Sequence, residues 1–131
     1  KGFKYLIKKK YQIFIITNQA GIAKNIFTEK DFFILHNLLK KRLFLKKIYF
    51  DDVQYSPFHP KGVLKKYKKN SSMRKPGNQM IKNITNNWLI NKRKSFMIGD
   101  KLSDKKCAKK SNLNFYYSTT NFFNLIKKVI K

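Results

Sequence analysis

Short apolar runs that end in polar residues constrain the fold of this chain most strongly. Residues 11–16 form such a run, rich in β-branched and aromatic side chains, and its length indicates a buried strand. Similar short strands are predicted at 46–55, 95–98 and 115–117. Helical patterns separate these runs, and this alternation favours an α/β fold, a Rossmann-like doubly wound parallel sheet with right-handed crossovers.

The helices are predicted from apolar residues that recur at helical spacing. Thr28 and Asp31 have the spacing of a capping box, so a helix is expected to begin there. Further helices are predicted over 77–90, 102–110 and 121–130, with apolar residues near Lys1 also at near-helical spacing. Leu89 belongs to the pattern of the helix over 77–90, and Trp88 and the aromatic residues 115–117 are expected to face the core.

Polar residues follow two of the predicted strands directly. Thr17-Asn18-Gln19 comes after the first strand, and Gly99-Asp100-Lys101 comes after the third. In doubly wound α/β folds, ligands bind at the carboxyl ends of the strands. These two segments are therefore where chemistry is expected.

The net charge of +25 raises the question of nucleic-acid binding. The basic residues are 28 Lys and only 3 Arg, spread along the whole chain. Recognition of phosphates and bases favours Arg, whose planar fork binds them bidentately. A nucleotide bias toward A/T-rich codons explains this excess of Lys over Arg better than nucleic-acid recognition does, so we expect no specific nucleic-acid partner. The net positive charge should still give an affinity for polyanions that falls with salt.

Other compositional features exclude several protein classes. Cys107 is the only cysteine, which excludes an internal disulfide and is typical of a reducing compartment. The chain has no stretch of 18 apolar residues and no start that resembles a signal peptide, so no membrane association is expected.

Four polar motifs occur in order along the chain. They are Thr-Asn-Gln-Ala-Gly-Ile-Ala at 17–23, Ser-Pro-Phe-His-Pro at 56–60, a segment ending in Arg-Lys-Pro at 71–76, and Ile-Gly-Asp-Lys with a second acid at 98–104. Together they resemble the haloacid dehalogenase superfamily of phosphatases, and within it the enzymes that act on heptose bisphosphate. The resemblance runs to about residue 118. It implies the haloacid dehalogenase type of fold in a single domain over 1–131, with a loop insertion at 56–76.

The resemblance also implies Mg²⁺-assisted transfer of a phosphoryl group to an aspartate. Thr17, Asn18 and Lys75 are the implied catalytic residues, because they would donate to the phosphoryl oxygens and neutralise their charge. Asp100 is the implied Mg²⁺ ligand, and Asp104 would either orient Lys75 or support the metal shell. The implied substrate-binding residues are Gln19, Ala20, Arg74 and Lys101.

The chain departs from the family at the nucleophile. The family places an Asp-x-Asp pair at the end of a strand that precedes the Thr-Asn-Gln strand. None of the 16 residues before Thr17 is acidic. We therefore expect this chain to lack that N-terminal strand, to be inactive by itself, and to be preceded by about 20–30 further residues.

The second departure concerns zinc, which the heptose enzymes hold in the 56–76 loop. The positions of their four ligands are Ser56, Phe58, Ser71 and Met73 in this chain. None of these is a plausible zinc ligand, and His59 cannot hold a structural zinc alone. We predict no zinc and a looser loop.

The function expected from the resemblance is Mg²⁺-dependent removal of the 7-phosphate of D-glycero-D-manno-heptose 1,7-bisphosphate. The reaction would supply heptose for the lipopolysaccharide core and would take place in the cytoplasm. The protein would be a monomer, and its partner would be a small phosphorylated sugar. Histidinol phosphate and a polynucleotide 3′ end are the alternative substrates, although the length of 60–73 favours the heptose enzymes. A decayed, nonenzymatic remnant with polyanion affinity is the alternative from another class.

Overall fold

The computed structural model describes residues 1–130, and Lys131, the last residue of the predicted domain, lies outside the described residues. Its helices are α1 Gly2–Lys8, α2 Ala20–Ala23, α3 Glu29–Leu45, α4 Gln79–Asn87, α5 Leu102–Lys110 and α6 Phe122–Val129. Its strands are β1 Phe14–Asn18, β2 Asp52–Ser56, β3 Phe96–Gly99 and β4 Asn114–Tyr117, with a short 3₁₀ helix at Lys92–Lys94. No helix within residues 1–130 has both the length and the apolar character needed to cross a bilayer.

The strands are parallel and form two pairs. β1 pairs with β2, so that Asn18 lies opposite Ser56 at their ends. β3 pairs with β4, so that Gly99 lies opposite Tyr117. The mixed α/β architecture with parallel strands confirms the predicted fold class. The pairs are separate two-stranded sheets rather than one continuous sheet within residues 1–130.

Side chains, not backbone hydrogen bonds, join the two strand pairs. Ile16 of β1 packs against a buried cluster that includes Met97 of β3 and Cys107 of α5. A second cluster contains Leu6, Ile13 and Ile126, and Phe96 and Ile98 of β3 pack against it. Burial of such apolar side chains stabilises the fold by about 1.5–3 kcal/mol each.

Helix α3 begins where the capping signal predicts. The Thr28 side chain accepts a hydrogen bond from the Asp31 N–H at 3.1 Å, and the Asp31 carboxylate accepts one from the Thr28 N–H at 2.9 Å. These reciprocal bonds satisfy two of the N–H groups that a helix start leaves unpaired. No residue of α3 is buried.

Two expectations are wrong. The helix predicted over 77–90 ends at Asn87, so Leu89 lies outside it and is fully exposed. The chain turns away because Trp88 takes an extended conformation, packs edge-on against Phe14 and donates to Asp52 at 3.3 Å. Tyr117, at the end of β4, is also exposed, because the side chains of a strand alternate between its faces.

Candidate active site

The Thr17 hydroxyl group lies at the carboxyl end of β1, and its oxygen already accepts a hydrogen bond. The Gln19 side-chain amide donates to Thr17 Oγ1 at 3.0 Å. The Gln19 backbone N–H donates to the Ser56 carbonyl at 2.8 Å, which ties this end to β2. Because Thr17 Oγ1 accepts from Gln19, its own proton is left to point toward another acceptor.

Asn18 holds the backbone of Lys75 from both sides. Its side-chain N–H donates to the Lys75 carbonyl at 3.1 Å, and its side-chain oxygen accepts from the Lys75 N–H at 3.0 Å. The resemblance implied that Thr17 and Asn18 together offer donors to a phosphoryl group, and that role stays a prediction. In the structure the Asn18 side-chain amide binds the backbone of Lys75, 57 residues further along the chain.

The side chain of Lys75 crosses the end of β1 to reach α5. Its Nζ donates to the Ile16 carbonyl at 3.4 Å and forms an ion pair with Asp104 Oδ1 at 2.6 Å. The Lys75 and Asp104 side chains are only 13% and 5% exposed. Asp104 was expected either to orient Lys75 or to support the metal shell, and this ion pair is the contact that the first role requires.

Asp104 is held by the start of α5. Its Oδ2 accepts hydrogen bonds from the Asp100 and Lys101 N–H groups, both at 3.1 Å. Burial alone would raise the pKa of Asp104, but the hydrogen bond from Lys75, those backbone N–H groups and the Lys75 charge lower it below its usual value. Any side chain at Gly99 would collide with this carboxylate, so the position needs glycine.

Cys107 connects α5 to the loop that carries Lys75. Its Sγ donates to the Gly77 carbonyl at 3.3 Å, and the side chain is fully buried. Burial raises the pKa of this thiol, so it stays protonated near neutral pH. Cys107 thus packs behind the loop that carries Lys75 and has no exposed surface.

The structure brings only some of the predicted site residues together. Thr17, Asn18 and Lys75 converge at the end of β1, as described above. Asp100 and Lys101 are exposed and lie at the start of α5 beside Asp104. The remaining predicted residues lie nearby: Gln19 precedes α2, Ala20 begins it, and Arg74 adjoins Lys75 in the chain.

Asp100 is the residue of this edge that fits a magnesium ion. It is exposed, and the one hydrogen bond that the structure gives it is donated by its backbone N–H to Asp104. Within residues 1–130, no three His, Cys, Asp or Glu side chains cluster as a metal site. Magnesium usually binds one or two carboxylates together with water and substrate phosphate, so one free carboxylate is compatible with it.

The residues of the 56–76 loop do not fit zinc. Ser56 is fully buried, and Phe58 packs against Tyr67 with ring centroids 6.3 Å apart. Lys69 Nζ lies 4.3 Å from the centre of the Phe58 ring, and the His59 N–H donates to the Tyr67 carbonyl at 3.1 Å. Aromatic and cation–π contacts thus occupy the surroundings of Phe58.

Sequence reasoning missed the network that anchors the second half of this loop. Asn83 of α4 donates to Gln54 of β2 at 3.1 Å and to the sulfur of Met73 at 3.5 Å. Gln79 donates to Asn83 at 2.9 Å. Amide side chains give no motif in a sequence, because their partners depend on the tertiary fold.

The arrangement suits a dianionic phosphoryl group. Lys75 supplies a fixed positive charge, Thr17 supplies a hydroxyl donor, and Asp100, whose backbone N–H donates to the partner of Lys75, supplies an exposed carboxylate. Fixed donors and charges are the main protein contribution to phosphoryl transfer.

The described chain resembles solved haloacid dehalogenase-type structures. A phosphatase of this type from Mesorhizobium loti superposes with a TM-score of 0.84 at 19% identity, covering 97% of this chain and 69% of that one. The D,D-heptose 1,7-bisphosphate phosphatase of B. bronchiseptica, solved with magnesium and phosphate, gives 0.77 at 18% identity, with 97% and 67% covered. At these identities the likeness supports the fold alone.

Proteins matched by sequence share a higher identity with this chain than the two solved structures do. A D-glycero-β-D-manno-heptose-1,7-bisphosphate 7-phosphatase of Rhodopseudomonas palustris is 35% identical over 121 residues, which cover 92% of this chain and 67% of the relative. An enzyme of the same name from Photorhabdus laumondii is 37% identical over 103 residues, covering 79% and 55%. This chain therefore spans about two thirds or less of the length of these relatives. The profile of haloacid dehalogenase-like hydrolases matches residues 1–117, and the chain belongs to that family.

Proposed function

We propose that this protein is a Mg²⁺-dependent phosphatase that removes the 7-phosphate from D-glycero-D-manno-heptose 1,7-bisphosphate. The observation that carries the proposal is the buried ion pair of Lys75 and Asp104, which holds the Lys75 ammonium group at the Ile16 carbonyl, one residue before Thr17. A lysine fixed in this way keeps its charge at the place where a phosphoryl group gains charge in the transition state.

Each residue of the chain then has a separate task. Lys75 neutralises the phosphoryl oxygens, and Thr17 donates its free hydroxyl proton to one of them. Asn18 is a positioning residue, because it holds the Lys75 backbone through two hydrogen bonds. Asp104 orients the Lys75 side chain and does not itself touch substrate.

Asp100 would hold magnesium together with water and substrate phosphate. When bound, the ion supplies charge neutralisation of the phosphoryl group. Asp100 is suited to this task because the carboxylate of its neighbour Asp104 is already engaged with Lys75 and two backbone N–H groups.

Residues 1–131 do not contain the aspartate nucleophile at the place in the chain where the family has it. The 16 residues before Thr17 contain no carboxylate. We therefore propose that residues 1–131 by themselves bind the phosphate ester and release no phosphate from it.

The substrate assignment rests on the relatives and on the loop. Relatives from two genera carry the heptose 1,7-bisphosphate 7-phosphatase name at 35% and 37% identity. The length of the segment between His59 and Arg74 matches the heptose type. We place the reaction in heptose supply for lipopolysaccharide, in a bacterial cytoplasm, and propose a monomeric enzyme without a nucleic-acid or membrane partner.

Equilibrium binding tests the proposal. Residues 1–131 are titrated with heptose 1,7-bisphosphate and Mg²⁺ in isothermal calorimetry, using Lys75→Met and, as a charge-matched control, Lys82→Met on the exposed side of α4. Loss of a charge-assisted contact is expected to weaken binding by about 10- to 100-fold in Lys75→Met only. Equal affinities of the two variants would contradict the site. Tighter binding of histidinol phosphate would contradict the substrate, and release of phosphate would contradict the nucleophile account.

A further inference from the structure

The chain reverses direction at the C-terminal end of α3 and forms a groove there. Lys47 has a left-handed backbone, with φ at 57°, and its N–H donates to the Phe44 carbonyl at 2.9 Å. The Ile48 N–H donates to the Leu43 carbonyl at 3.0 Å. This pair of bonds is a Schellman motif, which brings the residue after the turn back against the last turn of the helix. Backbone hydrogen bonds therefore set the shape of the groove.

Aliphatic and aromatic side chains form the walls of the groove. Its volume is about 410 Å³, and six of these side chains line it: Leu43, Phe44, Leu45, Ile48, Tyr49 and Phe50. Ile48 is buried, and Phe50 packs edge-on against Phe3 of α1 with ring centroids 5.5 Å apart. Phe44 and Leu45 are 71% and 85% exposed. A concave surface of this volume is within the range of small-molecule sites, and an apolar ligand would remove these two side chains from water.

The rim of the groove is positively charged. Lys40 and Lys41 also line the groove, and both are exposed. Residues 40–47 include five basic side chains, and no acidic residue occurs from 32 to 50. The C-terminus of a helix carries about half a negative charge, which favours cations there but balances only a small part of five.

No carboxylate within residues 1–130 forms an ion pair with this rim. The one ion pair in that range joins Lys75 to Asp104. Asp51, the first acid after the groove, accepts a hydrogen bond from the Ile13 N–H at 2.7 Å. An apolar groove with an uncompensated cationic rim is complementary to a ligand that is apolar at one end and anionic at the other.

We propose that this groove binds a single anionic amphiphile, an alkyl chain that ends in one negatively charged head group. The alkyl chain covers Phe44 and Leu45, and the head group pairs with Lys40 and Lys41. Eight residues line the groove, whereas a stable protein interface takes about 20–30 residues from each side, so its size favours one small molecule.

The groove is separate from the candidate active site. It precedes β2, and the active-site residues lie at the carboxyl ends of the strands. The five residues of β2 rise about 3.3 Å each, so about 16 Å lies between the two edges. The inference therefore does not rest on the proposed function.

Three probes test the two halves of the ligand. Decanoate, below its micelle concentration, is titrated into residues 1–131 in isothermal calorimetry, and one molecule per chain is expected to bind. Decyltrimethylammonium has an alkyl chain of similar length with a positive head group, and butyrate has the anionic head group with a short chain. Each is expected to bind at least about tenfold more weakly than decanoate.

Two double variants separate the rim from the general positive charge. Lys40→Ala/Lys41→Ala is expected to weaken decanoate binding about tenfold. Lys82→Ala/Lys92→Ala removes the same charge at exposed positions outside the groove and is expected to leave the affinity unchanged.

A leucine pair and a spectroscopic readout test the apolar wall. Leu45→Ala is expected to weaken decanoate binding about fivefold, whereas Leu89→Ala, fully exposed outside the groove, is expected to have no effect. In methyl NMR spectra, decanoate should shift the Ile48 signal and leave that of Ile22, which is buried in α2, unchanged.

Equal losses in the two lysine variants, or equal affinities for the two long-chain probes, would overturn the site, because the head group would not be recognised. Shifts of both isoleucine signals, or several decanoate molecules per chain, would show nonspecific adsorption and overturn it as well. Binding to anionic phospholipid vesicles without binding of free decanoate would replace the single molecule with a membrane surface. A dimer that Leu45→Ala dissociates and decanoate does not would assign the groove to a second copy of the chain and overturn the proposal.

Discussion

Replacing Asp104 with Asn tests the ion pair at the centre of the site. The substitution keeps an oxygen that can accept from the Asp100 and Lys101 N–H groups but removes the charge opposite Lys75. The stability of the folded chain should fall, because a buried ammonium group is left without its counter-ion.

The magnitude follows from the geometry. At 2.6 Å the attraction between two unit charges is about 6 kcal/mol with an effective dielectric constant of about 20, before desolvation is subtracted. Both side chains are nearly buried, and removal of one partner from a buried pair costs about 3–5 kcal/mol. We expect a loss near the lower value, about 3 kcal/mol, because the long Lys75 side chain can turn partly toward water.

Urea unfolding followed by the fluorescence of Trp88, the only tryptophan, measures this loss. Asp100→Asn, four residues earlier and exposed, is the matched control and should change stability by less than about 0.5 kcal/mol. A double-mutant cycle with Lys75→Met should give a coupling energy of about 1–3 kcal/mol. Additive effects of the two substitutions would refute the reasoning.

Three further predictions concern the frame of the site. Thr28→Ala should lower the free energy of unfolding in urea by about 1 kcal/mol at pH 7, and by less at pH 3. The hydrogen bonds from Thr28 lower the pKa of Asp31, so the ionised Asp31 stabilises the fold above the ordinary pKa of an aspartate. That stabilisation is lost as the pH falls through the lowered pKa of Asp31. An equal cost at both pH values would be inconsistent with the capping box. Burial and a hydrogen bond to the Glu29 carboxylate raise the pKa of Tyr55 to about 12, so the free energy of unfolding should fall as the pH rises from about 10 to about 12. In an absorbance titration, the ionisation step near pH 12 should be absent from Tyr55→Phe and present in Tyr49→Phe, whose tyrosine is exposed. Phe58→Ala should lower stability by about 2 kcal/mol in thermal melts, whereas a chelator should leave wild type unchanged; a chelator-sensitive melt would show that a metal holds the loop.

Local signals in the sequence were sufficient where neighbouring residues decide the structure. The capping box of Thr28 and Asp31 forms as predicted, and the first strand overlaps its predicted range, although it begins at Phe14 and includes Thr17 and Asn18. The family relationship was also visible, because four motifs in order are a stronger signal than any propensity. The matched profile and the named relatives confirm it.

Tertiary contacts explain what the sequence could not predict. Leu89 has the spacing of a helix face, yet it is exposed because Trp88 is drawn to Phe14 and Asp52, residues far away in the chain. The role of Asn18 was equally hidden, since its partner Lys75 is 57 residues away. The individual site residues remain predictions until they are tested by substitution.

The central claim is that the protein hydrolyses the phosphate at C7. The most direct measurement is ³¹P NMR of heptose 1,7-bisphosphate with Mg²⁺ and the protein isolated from the cells that make it. The account predicts that the C7 signal is replaced by inorganic phosphate while the C1 signal remains. Persistence of both phosphate signals with a bound substrate would contradict it.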